Sequence, residues 1–131
     1  MPDKDKSARL KAARMRSRVF VPKQSEHDLQ VACINWFRYQ YRGVVIYAVP
    51  NGGQRNVIVA QKLKAEGVLA GVPDLCVPAP RNGHHGLYIE MKAGRNTTTD
   101  NQNEVIEKLK AEGYRCEVCR SFEEFKRVVE G

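Results

Sequence analysis

The chain has no apolar run of about 18 residues, which excludes a membrane-spanning helix. Its first residues, MPDKDKSARLKAARMRSRVF, contain no continuous apolar stretch. No secretory signal is therefore read, and an intracellular protein is expected. Cysteine is scarce: Cys33, Cys76, Cys116 and Cys119. Cys116-x-x-Cys119 has no second pair to complete a four-ligand zinc site, and the His84-His85 pair lies in turn-rich sequence. The four thiols are expected to be reduced and buried. There is no G-x-G-x-x-G and no Walker A lysine, so dinucleotide binding and P-loop chemistry drop out. No internal repeat or low-complexity tract is visible.

What remains is one domain's worth of ordinary globular sequence, 131 residues with 42% apolar and 28% charged side chains. The net charge of +7 is unevenly placed. Residues 1–23 hold eight Lys/Arg against two Asp, a net +6, whereas residues 24–131 hold fourteen against thirteen acids, a net +1. The division expected is a flexible basic arm over 1–23, in which a short helix over 7–16 is compatible with the composition, and a folded domain over 24–131. A basic arm suits a polyanion, nucleic acid before anionic membrane; a solvated tail has the same composition.

Along the folded part, Leu29, Ala32, Cys33, Trp36 and Phe37 recur at helical spacing after a Ser25/Asp28 cap pattern. GVVIYAVP at 43–50 reads as a strand ended by Pro50. Residues 57–71 begin as a helix stopped by Gly67. LCV and LYIEM read as two strands joined by the turn-rich PAPRNGHHG. The capping box Thr99-x-x-Gln102 opens a helix carrying Ile106 and Leu109 that ends at Gly113, Tyr114–Val118 alternates like a strand, and a second capping box, Ser121/Glu124, opens a last helix. The order α-β-α-β-β-α-β-α predicts an α/β fold, a mixed sheet of about four strands flanked by helices.

The stretch GVPDLCVPAPRNGHHGLYIEMK, residues 71–92, carries the chemistry. Side chains two apart on a strand share a face, so Glu90 and Lys92 point together and Met91 points away into a core. A hairpin of the two apolar runs places Asp74 across from Glu90. Two carboxylates and an ammonium at one sheet edge suit a divalent metal and an activated water; the bland account is a Glu90–Lys92 ion pair with Asp74 capping a turn. Glu26 either complements a helix dipole or faces the same site. Gln102 either closes the capping box or projects beside Lys92, and the two are compatible. Asn51-Gly52-Gly53 with Arg55 is either a simple turn or a loop offering amides to a phosphate.

Pro73-Asp74 … Glu90-Met91-Lys92 resembles the PD-(D/E)xK nuclease motif. With Glu26, Asn51-Gly52-Gly53, Arg55, Gly71-Val72-Pro73-Asp74-Leu75 and Gln102 in order, the chain resembles the VRR-Nuc family of that superfamily over roughly residues 24–120. The resemblance implies a restriction-endonuclease-like core. It implies Mg²⁺ or Mn²⁺ held by Glu26, Asp74, Glu90 and the Met91 main-chain oxygen. Lys92 would orient or activate water and offset charge on the phosphate, and Gln102 would position either. Asn51 and Arg55, with Gly52 and Gly53, would border the site and contact the nucleic-acid backbone. Stand-alone members of phage and bacterial type suggest a homodimeric, structure-selective DNA endonuclease, a Holliday-junction resolvase of DNA repair. The other readings are a nuclease for flaps, nicks or other branched DNA, an RNA-directed relative, and a catalytically silent nucleic-acid-binding module.

Overall fold

The computed structural model describes residues 25–50 and 56–131, so the basic arm and the candidate residues Asn51, Gly52, Gly53 and Arg55 lie outside the described residues. The elements are α1 (Glu26–Gln40), β1 (Tyr47–Ala48), α2 (Val57–Ala65), β2 (Leu75–Val77), β3 (Leu87–Met91), α3 (Asp100–Ala111), β4 (Arg115–Cys119) and α4 (Phe122–Glu130). This is the expected order. The sheet runs β1-β2-β3-β4; the first two pairings are antiparallel and β3 pairs with β4 in parallel. No described helix is long and apolar enough to cross a membrane.

One face of the sheet carries the main core. Ser25 Oγ accepts the Asp28 N–H at 3.0 Å and starts α1. Leu29, Cys33 and Phe37, four apart, then form a buried stripe against Leu75, Val77, Ile89, Met91 and Cys119 of the sheet and Phe125 and Val129 of α4. The Trp36 ring meets Phe122 and Phe125 edge-on at 5.7 and 6.2 Å. The opposite face takes α3, whose Ile106 carbonyl lies 4.0 Å from the Cys116 sulfur. All four thiols are free and buried. Burial pushes Cys116 up to about 11 and Cys119 to about 12, leaving both protonated and unreactive.

Two local expectations are corrected. The strand read over 43–50 is only Tyr47–Ala48. Its partner β2 is bracketed by Pro73 and Pro78, which lack amide donors, so the ladder has three residues to pair with and Val44 and Val45 lie exposed. At α4, Ser121 Oγ accepts from Glu124 N at 3.1 Å, but the Glu124 carboxylate accepts the Arg120 N–H at 2.6 Å instead of closing the box on Ser121. Helix α2 ends as read, with Gly67 at φ +108° after it. None of its residues is buried, and Val57 and Ile58 are 69% and 73% exposed.

Candidate active site

Leu75 pairs with Ile89, so Asp74, the residue before β2, stands opposite Glu90. Its main chain is fixed by Val49, whose N–H donates to the Asp74 carbonyl at 2.7 Å. Its side chain is fixed from the other strand: Asp74 Oδ2 accepts the Met91 N–H at 2.8 Å. Side-chain periodicity does not disclose that bond, because it runs from a main-chain amide. Met91 itself is fully buried in the core, as its parity on β3 requires. Lys92 continues the parallel ladder through its N–H to Cys119 O at 3.0 Å and brings its ammonium 3.4 Å from Glu90 Oε1.

Both readings of Gln102 hold at once. Thr99 Oγ1 accepts the Gln102 N–H at 3.2 Å, and Gln102 Oε1 accepts the Thr99 N–H at 2.9 Å, a closed capping box. The remaining Nε2 donates to Glu90 Oε1 at 3.0 Å. The start of α3 is pressed against the loop leading to Asp74 at Gly71. A Cβ on Gly71, whose φ is +92°, would stand 2.9 Å from the Asn101 main-chain oxygen.

Glu26 enters from the first turn of α1. One carboxylate oxygen from each of Glu26, Asp74 and Glu90 lies within 4.8 Å of the other two. Burial raises the Glu26 pKa, the Asp74 charge raises it further, and Lys92 opposes both. Glu90 is pushed up to about 7 by burial first and by Asp74 second, again against Lys92. Glu90 is 2% exposed, and its Oε2 is buried without a hydrogen-bond partner. An ion pair with Lys92 leaves the convergent Glu26 carboxylate and that orphaned oxygen unexplained. Three convergent hard oxygen donors short of positive charge fit a Mg²⁺ or Mn²⁺ ion. An apolar concavity lined by Phe37, Tyr41, Val77 and Leu87 holds none of these carboxylates.

Asp74, Glu90, Lys92, Gln102 and Glu26 are thus brought together, Met91 supports them through its amide, and Asn51, Gly52, Gly53 and Arg55 fall outside the described residues. The family model of the VRR-NUC domain matches residues 17–123. A solved structure described as a VRR_NUC domain protein superposes with a TM-score of 0.70 at 32% identity, over 82% of this chain and 87% of that one. No curated protein matches. Since the family model spans the whole acidic cluster and Lys92, and the fold agrees with a solved relative, this chain belongs to the VRR-NUC family of nuclease domains.

Proposed function

We propose that the protein is a divalent-metal-dependent, structure-selective DNA endonuclease that acts as a homodimer on four-way (Holliday) junctions in DNA repair. The observation carrying the metal-dependent part is the Glu26–Asp74–Glu90 cluster, with an orphaned buried oxygen on Glu90 and Lys92 alongside. Glu26, Asp74, Glu90 and the Met91 main-chain oxygen hold the ion. Mg²⁺ or Mn²⁺ supplies Lewis acidity toward the phosphodiester and lowers the pKa of water.

The chain's own residues do the rest. The Met91 amide locks the Asp74 carboxylate, and Gln102 fixes one oxygen of Glu90, so the ligand oxygens are oriented before substrate arrives. The Lys92 ammonium, held beside Glu90, orients the attacking water and offsets charge developing on the phosphate. Asn51, Gly52, Gly53 and Arg55 contact the nucleic-acid backbone beside the site, and the basic arm adds sequence-independent attraction to phosphate.

The dimer is supported by α2. A nine-residue helix with no buried residue has little to hold it in water, and its exposed Val57, Ile58 and Val59 fit a matching face on a second copy. A two-fold pair would bring two sites to two strands, as a four-way junction requires. The test is cleavage of end-labelled junction, flap, nicked, duplex and single-stranded DNA with Mg²⁺ or Mn²⁺. Paired symmetric cuts on the junction are expected. A monomeric protein, or one that cuts flaps far better than junctions, removes the resolvase reading and keeps the nuclease.

A further inference from the structure

The sheet face that carries Asp74 and Glu90 also carries a row of aromatic side chains. Tyr47 is in register with Cys76, and Cys76 with Tyr88. Tyr88 is two residues before Glu90 on β3, and Cys76 is two residues after Asp74, so this row and the carboxylates share one face. Two residues along a strand is about 7 Å, about two base-stacking rises. The row stands at the carboxylates' shoulder, on rigid strands.

The tyrosines are held in place and remain accessible. Cys76 stands between the two tyrosines in the strand register, beside each of them on the same face. Tyr114 packs edge-on against the Tyr88 ring, with centroids 5.4 Å apart, and fixes its plane. The inner rings are half-buried, whereas Tyr47 is 45% exposed on the edge strand. An exposed aromatic at an edge, braced from behind and continuous with the carboxylate cluster, is surface that a flat apolar ligand can cover.

We propose that Tyr47, backed by Cys76 and Tyr88, is a stacking subsite for an unstacked nucleobase of the DNA substrate, at an opened branch point or in a single-stranded arm, next to the scissile phosphate. This deepens the nuclease reading and rests on it. A continuous duplex keeps its base faces stacked, and a branch or single-stranded arm does not. Every base has a π-face, so such a subsite would select DNA structure with little regard to sequence.

The experiment measures binding in EDTA, so that no cleavage intervenes, of a duplex bearing a single-stranded arm and of a blunt duplex of the same sequence. The proteins are the full chain and its Tyr47→Ala, Tyr47→Phe and Tyr47→Trp variants, each checked for fold by circular dichroism. Tyr47→Ala is expected to bind the armed DNA roughly tenfold more weakly and the blunt duplex within about twofold. Tyr47→Phe and Tyr47→Trp should bind the armed DNA like the full chain. Unchanged binding of armed DNA by Tyr47→Ala overturns the proposal. So does an equal loss on blunt duplex, or a loss in Tyr47→Phe as large as in Tyr47→Ala. Metal titration and cleavage by the unaltered chain report separately on the nuclease reading: a cutting enzyme with an indifferent Tyr47 loses only the stacking subsite.

Discussion

Gln102 Nε2 donates to Glu90 Oε1 at 3.0 Å while Gln102 Oε1 accepts the Thr99 amide at the start of α3. One side chain thereby closes a helix cap and sets the orientation of a buried carboxylate. The two functions separate by substitution. Gln102→Glu retains a capping-box residue and removes the donor facing Glu90. At low pH, where the added carboxyl is protonated, its thermal stability should stay close to that of the original; at neutral pH the two facing carboxylates repel and lower it, and activity or metal affinity falls about 10- to 100-fold, the usual cost of losing a partner behind a ligand. Gln102→Ala should lose the same activity and about 1 kcal/mol of stability besides. Thermal denaturation beside metal titration and cleavage distinguishes the pair; equal activity in Gln102→Glu would show that the Glu90 contact is incidental.

Lys92 is the cation that opposes the upward pull on Glu90 and Glu26. Its proposed work is on the phosphate, so Lys92→Ala should reduce cleavage about 100-fold or more and leave metal affinity within a few-fold. Calorimetric metal titration with single-turnover cleavage checks the split. Parallel loss of both would make Lys92 a strut for the carboxylates rather than a participant.

The raised Glu90 pKa gives opposite pH trends with and without metal. A carboxylic acid lifted from 4.5 to about 7 by folding binds a proton more tightly in the native state. Its contribution is fully present below pH 4.5 and is lost as pH rises through about 7, a swing of at most about 3 kcal/mol. In EDTA this group should therefore lower stability as pH climbs from 5 to 8. With saturating Mg²⁺ the ionised form is the ligand, so metal stabilisation should grow over the same interval and binding near pH 6 should release a proton. Thermal melts across that range test both arms. A Glu90→Gln variant showing the same metal-free trend would assign it to other groups.

Gly71 couples two parts of the site. A side chain there must move the Asn101 main-chain oxygen and also adopt a φ of +92°. Asn101 adjoins Gln102, and Gly71 begins the loop that delivers Asp74. Gly71→Ala is expected to lower stability by about 1–3 kcal/mol and, in the protein that still folds, to weaken metal binding. Gly67→Ala is the control: it shares a positive φ, at +108°, but a Cβ there meets nothing within 4 Å. Its stability should fall while metal affinity holds; equal metal affinity in both would remove Gly71 from the site's support.

Much of this architecture was legible because it is local. Parity along β3 separates Glu90 and Lys92 from Met91, the turn between the apolar runs carries Asp74 across to Glu90, and Thr99 with Gln102 announces a cap. What stayed hidden depends on distant partners. The length of β1 is limited by a short partner, β2, with a proline on either side of it, rather than following its own β-branched run. Glu26 could be assigned to a helix dipole or to the site until the Leu29–Cys33–Phe37 stripe was seen to dock α1 on the sheet and aim its first turn at Asp74. The Asp74–Met91 bond involves an amide, on which side-chain patterns are silent.

The exposure of α2 could not be read from periodicity, since an apolar run that meets its own core resembles one that meets another molecule. Val57 and Ile58 open the helix and are not buried among the described residues. A charge placed there should therefore be tolerated by the isolated fold but not by an interface that covers it. Ile58→Glu is expected to keep the circular-dichroism spectrum and metal affinity of the original while shifting the sedimentation equilibrium toward monomer. If the proposed dimer uses this face, paired cutting of a four-way junction should give way to single, uncoordinated nicks, because the two sites no longer arrive together. A dimer undisturbed by Ile58→Glu would place the interface elsewhere. A wild-type monomer at all working concentrations would leave α2 exposed in solution and remove the resolvase geometry altogether.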